Sequence, residues 1–169
     1  MHRVPFVSQR VYAFPNCTCG VASTMMLLRF HYRRKRIPTY RDLRRAFGID
    51  YLPGGMRPRA STLGVDTPDV LRYFRLHRIR YRATHRKTRA TWDTFRRGLR
   101  RAPAMVSMGR NPRRWGVCGH WIVVIDLSPD TVSFLDPWRL PTHTRPVTMR
   151  LARFRREWDG TSIQIVGFK

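Results

Sequence analysis

Carboxylates are scarce in this 169-residue chain, and their scarcity narrows the chemistry that it can perform. One glutamate and nine aspartates stand against 34 basic residues, which leaves a formal net charge of +24. Paired-carboxylate glycosidase sites and carboxylate-rich metal sites are therefore poorly supported. Three cysteines cannot all pair within the chain, so the sequence does not indicate a disulfide framework. Reduced thiols are expected, as in a cytoplasmic protein.

Long apolar runs are also missing. No stretch approaches the roughly 20 apolar residues that cross a bilayer. The N-terminus has no charged region followed by an apolar segment of signal length. We therefore expect a cytoplasmic protein without a membrane segment. Because hydrophobic residues make up 42% of the chain and no repeat or linker interrupts it, residues 1–169 are predicted to form one domain with its own core.

Lysine is rare among the basic residues. It occurs only at positions 35, 87 and 169, so 31 of the 34 basic residues are arginine. They spread from Arg3 to Arg156 in short clusters and do not form a single tail. Such a surface suits phosphates or an acidic partner. A compositional preference for arginine on solvated faces explains the same pattern, and both interpretations stay open.

Local patterns predict helices mostly in the first half of the chain and strands mostly in the second. Apolar spacing of three and four predicts a helix from Cys19 to about Arg33. Thr39 and Thr67 are the predicted caps of the next two helices. Further helices are expected near 90–100 and 151–158, and strands at 78–84, 104–108, 120–126, 131–136 and 162–168. This order indicates an α+β fold.

Cys19 combines several features of a nucleophilic thiol. It begins a predicted helix, whose positive N-terminal end favours the thiolate. Gly20 and the small residues that follow leave room for a substrate backbone, so Gly20 is a predicted substrate contact. Cys17 is the rival nucleophile. An alternative is a zinc site formed by Cys17, Cys19, Cys118 and His120. Because the Cys-x-Cys spacing is atypical for zinc, we predict no metal and no cofactor.

His120 and Asp136 are predicted to meet across a hairpin. The turn signal at 128–130 separates two strand segments, and a turn centred near residue 129 places His120 opposite residue 138. Asp136 is then one diagonal step away, within side-chain reach. We expect His120 to be the base that activates Cys19, and Asp136 to orient the imidazole.

Gln9 and two loops complete the predicted site. The Gln9 side-chain amide and the Cys19 backbone N–H are candidate donors to an oxyanion. The loop 109–116 runs directly into the His120 strand, and residues 51–64 form a second long loop. Both loops are expected to border the cleft. The side chains predicted to contact the substrate there are Arg113, Arg114, Trp115 and Trp121.

Five short motifs, in this order, resemble those of the papain-like peptidases that cut double-glycine leader peptides from bacteriocin precursors, and of their free-standing relatives. The motifs are Gln9, Cys19-Gly20-Val21-Ala22-Ser23, His120-Trp121-Ile122-Val123-Val124, Asp136-Pro137 and the ending Phe154, Trp158 and Gly160. The interval from Gln9 to Cys19 is longer than is usual in that family.

The resemblance implies a papain-like cysteine peptidase fold, in which an N-terminal helical part carries the nucleophile helix and packs on a C-terminal antiparallel sheet. It also implies cleavage of a peptide or isopeptide amide bond through a Cys-His-Asp triad, with glycine at the cleavage site. Relatives with the same triad include deamidases and acyltransferases. A different class remains open beside these enzymes: an inactive scaffold that binds nucleic acid or another polyanion, which the +24 charge motivates.

Overall fold

Five α-helices and one six-stranded sheet make up the described part of the chain. The computed structural model describes residues 1–11, 18–32, 37–47, 65–109 and 119–168. Its helices are α1 (Cys19–His31), α2 (Tyr40–Ala46), α3 (Thr67–Leu76), α4 (Arg89–Leu99) and α5 (Leu151–Glu157), with a short 3-10 helix at Gln9–Val11. Its strands are β1 (Ile79–His85), β2 (Ala104–Met108), β3 (His120–Leu127), β4 (Thr131–Leu135), β5 (Val147–Arg150) and β6 (Trp158–Phe168). The α+β prediction is confirmed.

The sheet brings distant parts of the chain to one rim. Its order is β1-β6-β2-β3-β4-β5, and every neighbouring pair is antiparallel. Met108 at the end of β2 pairs with His120 on one side and with Trp158 on the other. The starts of β3 and β6 therefore lie at the same rim, which we call the His120 rim. The opposite end of β6 pairs with Ile79 of β1, an edge strand.

Helices cover both faces of this sheet. Side chains from α1, α2 and α3 form one buried cluster, and those from α4 and α5 form a second. Residues along β3 alternate between the two: Trp121 and Val123 belong to the first, Ile122 and Val124 to the second. Because successive side chains of a strand point to opposite faces, the two clusters lie on opposite sides of the sheet.

α1 is buried along most of its length. All residues from Cys19 to Leu28 are buried, which is the pattern of a helix enclosed by its neighbours. The helix has 13 residues and is too short to cross a bilayer. No other helix in the described ranges is long and apolar enough to do so.

Two sequence expectations are wrong in detail. Thr67 does not cap α3; Asp66 does, because its carboxylate accepts the Asp69 N–H at 3.0 Å in a reciprocal capping box. β5 was not predicted, since a four-residue edge strand is too short to show a period. The Thr39 cap of α2 is confirmed, with its own capping box to Asp42.

Candidate active site

Gly20 lets the first turn of α1 approach the core closely. A Cβ atom on Gly20 would lie 2.6 Å from Val65 Cβ and 3.3 Å from Trp121 Cδ1, too close for any side chain. The absence of a side chain at position 20 therefore brings the helix start, and with it Cys19, against β3. The predicted contact of Gly20 with a substrate remains a prediction.

Trp121 anchors this junction. Its indole N–H donates to the Val65 carbonyl at 2.8 Å, and the Ser23 hydroxyl donates to the Trp121 carbonyl at 3.2 Å. The Trp121 side chain is only 6% exposed. Its visible role is to join α1, β3 and the segment before α3, and a substrate contact by this side chain remains a prediction.

The predicted proximity of His120 and Asp136 is confirmed. His120 Nε2 lies 2.7 Å from Asp136 Oδ1, and both side chains are largely buried. The same carboxylate oxygen accepts the Trp138 N–H at 2.9 Å, while the Arg139 N–H donates to the Asp136 carbonyl at 3.1 Å. The turn after β4 therefore holds the carboxylate toward the imidazole.

The hairpin register explains why the prediction succeeded. Val123 pairs with Leu135 and Val124 with Phe134, as a turn centred near residue 129 requires. The register shifts by one residue only between Val124 and Asp126, on the turn side of these pairs. His120 and the end of β4 lie beyond the shift and keep the predicted alignment.

Gln9 is attached to the turn that carries Asp136. Its backbone N–H donates to the Pro137 carbonyl at 2.8 Å, and the Ser8 hydroxyl donates to the Arg139 carbonyl at 2.5 Å. The Gln9 side chain is buried, and the 3-10 helix that contains it contacts α1. The segment before the nucleophile helix thus contacts that helix and is hydrogen-bonded to the Asp136 turn, a long-range arrangement that no local pattern reveals.

Charge and hydrogen bonding favour an ion pair between Cys19 and His120. Burial raises the pKa of the Cys19 thiol, but a hydrogen bond and the charge from His120, together with the N–H groups of Trp121 and Gly20, bring it below its ordinary value. Burial lowers the pKa of His120, but hydrogen bonds and charge from Asp136 and Cys19 raise it to about 9. Both shifts favour the thiolate–imidazolium form of the pair over the neutral form.

Asp136 is the third charged group of this set. Burial raises the pKa of its carboxyl, but the hydrogen bond and charge of His120, the Trp138 N–H and the nearby Arg139 hold that pKa below its ordinary value. Nε2 of His120 is occupied by Asp136, which leaves Nδ1 as the ring nitrogen for Cys19. One imidazole is thus bonded to a thiol at a helix start and to an ionised carboxylate.

The sequence did not reveal the two backbone donors to the Cys19 sulfur. The N–H groups of Gly20 and Trp121 both contribute, and Trp121 comes from a strand 102 positions farther along the chain. Any residue type carries a backbone N–H, so no side-chain pattern marks it. The one sequence signal was its position: residue 121 directly follows the predicted catalytic histidine at the start of a predicted strand.

Other predicted site residues lie outside the described ranges. These are Cys17, Cys118, Arg113, Arg114, Trp115, the loop 51–64 and nearly all of the loop 109–116. Within the described ranges, no group of three or more Cys, His, Asp or Glu side chains could hold a metal ion.

The fold is that of the papain-like peptidases of the double-glycine, or C39, type. A C39-like peptidase from Bacillus anthracis superposes with a TM-score of 0.69 and 14% identity over 100% of this chain and 98% of the other. The peptidase domain of Streptococcus ComA, a bifunctional ABC transporter involved in quorum sensing, gives 0.67 and 14% over 99% and 100%. A double-glycine motif protease from an AMS/PCAT transporter, in complex with the leader peptide, gives 0.64 and 16% over 96% and 91%.

These likenesses establish a shared fold across the whole chain, and so confirm the papain-like expectation. No protein-family model matches the sequence, and no curated protein matches it either.

Proposed function

We propose that this protein is a cysteine peptidase that hydrolyses a peptide or isopeptide amide bond. One observation carries the proposal: His120 bonds to both Cys19, at the start of a buried helix, and Asp136, within a fold shared with double-glycine peptidases. A thiolate beside an oriented imidazolium is the arrangement that acyl transfer to sulfur requires.

Acylation begins at Cys19. The thiolate attacks the carbonyl carbon of the scissile amide and forms the C–S bond, while the carbonyl π electrons move to oxygen. His120 then gives its proton to the leaving nitrogen as the C–N bond breaks. The products of this half-reaction are a thioester on Cys19 and a free amine.

Deacylation uses the same imidazole in the opposite direction. Neutral His120 takes a proton from water, whose oxygen attacks the thioester carbonyl, and the C–S bond breaks to restore the thiolate and imidazolium. Asp136 holds the ring through Nε2 in both half-reactions and stabilises its positive charge.

Gln9 is the proposed second donor to the oxyanion. The first is the backbone N–H of Cys19, since first-turn amides of a helix have no intrahelical acceptor. The bond between the Gln9 N–H and the Pro137 carbonyl supports this role because it fastens Gln9 beside the Asp136 turn. The buried Gln9 side chain is then held ready before substrate arrives.

We propose a peptide substrate with glycine at the cleavage site. One structural neighbour is a double-glycine motif protease in complex with the leader peptide.

Alkylation kinetics and product analysis together test the proposal. Iodoacetamide at neutral pH should modify Cys19 first, as mapped by peptide mass spectrometry, and Cys118→Ala is the matched control that removes a different thiol. A peptide library should then yield new amino termini with wild-type protein and with Cys118→Ala, but not with Cys19→Ala. Equal cleavage by Cys19→Ala would overturn the proposal. Conversion of glutamine to glutamate without chain cleavage would replace peptidase by deamidase.

A further inference from the structure

An arginine-lined groove lies at the β1 edge of the sheet, away from the His120 rim. Two open pockets of about 490 and 190 Å³ share Val166 of β6. Five exposed arginines line them: Arg75, Arg78, Arg80, Arg82 and Arg101. We call this surface the β1 groove.

The charges of the β1 groove are not compensated by the described part of the protein. None of its five arginines forms an ion pair with a described carboxylate. Most described carboxylates are used elsewhere, as helix caps or within hydrogen-bonded networks; these are Asp42, Asp66, Asp69, Asp136, Asp159 and Glu157. Like charges that line two pockets sharing Val166 repel one another, and an anion that binds there relieves this repulsion.

The smaller pocket has a closely packed floor. Gly98 of α4 packs so closely on Gln164 of β6 that a Cβ at position 98 would overlap the Gln164 amide. That amide donates to the Ala102 carbonyl at 3.1 Å. Arg80 and Arg82 stand on the same face of β1 because they are two residues apart, roughly 6.6 Å along the strand.

We propose that the β1 groove binds the phosphate backbone of a double-stranded nucleic acid. Arginine forks make paired hydrogen bonds to phosphate oxygens. A single strand would gain from exposed rings on which bases stack. The aromatic rings that line the groove, Tyr81 and His31, are only half-exposed, and the large exposed apolar side chains of the described ranges are Met1, Leu76, Trp138, Leu140 and Val166. The lining therefore favours backbone contact over base stacking.

The β1 groove lies far from Cys19 in the fold. β6 runs through 11 residues from Trp158 at the His120 rim to Phe168 beside Ile79 at the groove. At about 3.3 Å per residue, its two ends are roughly 30 Å apart. Nucleic acid in the groove would leave the catalytic cleft open, and the proposal does not depend on the peptidase reaction.

A matched pair of triple variants tests the proposal. The groove variant is Arg75→Gln with Arg80→Gln and Arg82→Gln; the control is Arg3→Gln with Arg41→Gln and Arg96→Gln, three exposed arginines elsewhere. Arg78 is left intact because its φ of 54° makes substitution there a test of backbone strain as well. Both variants remove the same net charge. Fluorescence anisotropy with a short mixed-sequence DNA duplex, titrated over a range of salt concentrations, is the measurement.

The groove variant should bind the duplex about tenfold or more weakly, and its slope of log affinity against log salt should fall by about 2–3, since each lost phosphate contact removes about 0.9. The control variant should change far less, and both should keep the wild-type rate of Cys19 alkylation. Equal losses in the two variants would mean diffuse attraction and would overturn the proposal. Tighter binding of a single strand, or displacement by polyglutamate as effective as by duplex, would also overturn it.

Discussion

Oδ1 of Asp136 accepts two hydrogen bonds, from His120 Nε2 at 2.7 Å and from the Trp138 backbone at 2.9 Å. The second bond holds the carboxylate in place, and the first orients the imidazole. Because the Trp138 N–H needs only an oxygen acceptor, a substitution can remove the charge of Asp136 and keep this hydrogen bond.

Asp136→Asn removes the charge and keeps an oxygen for the Trp138 N–H. We expect peptide turnover to fall about 10²- to 10⁴-fold, since a carboxamide stabilises an imidazolium poorly. Cys19 alkylation at neutral pH should also slow, because a lower pKa of His120 leaves less thiolate. Asp126→Asn, at the other end of β3 with a half-exposed side chain, is the matched control. Wild-type rates in both variants would remove Asp136 from the mechanism.

The pH dependence should show the ion pair. The pKa of Cys19 lies below its ordinary value and that of His120 is raised to about 9. Peptide hydrolysis should therefore rise as the thiol ionises, at lower pH than an ordinary thiol does, and fall as pH passes about 9, where the imidazolium loses the proton needed by the leaving amine.

His120→Ala tests the same assignment from the other side. Without the imidazole, burial dominates, so the pKa of Cys19 should move above its ordinary value and alkylation should need higher pH. The rate of iodoacetamide modification across a pH series is the measurement. An unchanged profile in this variant would contradict the pairing of Cys19 with His120.

Gly20→Ala should damage both stability and the site. The added Cβ would meet Val65 Cβ at 2.6 Å, and an atom so close to the backbone cannot rotate away. We expect a loss of about 1–3 kcal/mol in the free energy of unfolding, measured by denaturant titration, with slower alkylation of Cys19 as the helix start shifts. Gly109→Ala is the control, because its Cβ would meet Asp159 Oδ2 at an ordinary 3.5 Å. Equal effects of the two changes would mean that crowding at Gly20 is unimportant.

Gln9→Ala should lower kcat without slowing alkylation. Loss of one oxyanion donor costs about 10²- to 10³-fold in kcat, whereas iodoacetamide forms no oxyanion. Ser8→Ala removes the neighbouring bond to Arg139 and controls for loosening of the same turn. If Ser8→Ala lowers kcat as much as Gln9→Ala does, Gln9 acts by fastening the turn and not as a donor.

Much of the site geometry was accessible from local pattern. The start of α1 at Cys19 followed from apolar spacing, and the meeting of His120 with Asp136 followed from a hairpin whose two strands are close in sequence. Such contacts depend on a turn and a period of two, which neighbouring residues encode. The cap at Asp66 was missed because two adjacent residues can both accept an N–H and only packing selects one.

Sequence alone determined which residues have the chemistry: a thiol at a helix start, an imidazole on a strand, an acid within diagonal reach of it, and a large excess of arginine. Tertiary structure decided what those residues touch. It placed α1 against β3 through Gly20, brought the Trp121 N–H to the sulfur, tied Gln9 to Pro137, and brought arginines from α3, β1 and the segment after α4 to two pockets that share Val166. The physical reason is that these contacts join segments far apart in the chain, whose approach depends on how two buried clusters pack on opposite faces of one sheet.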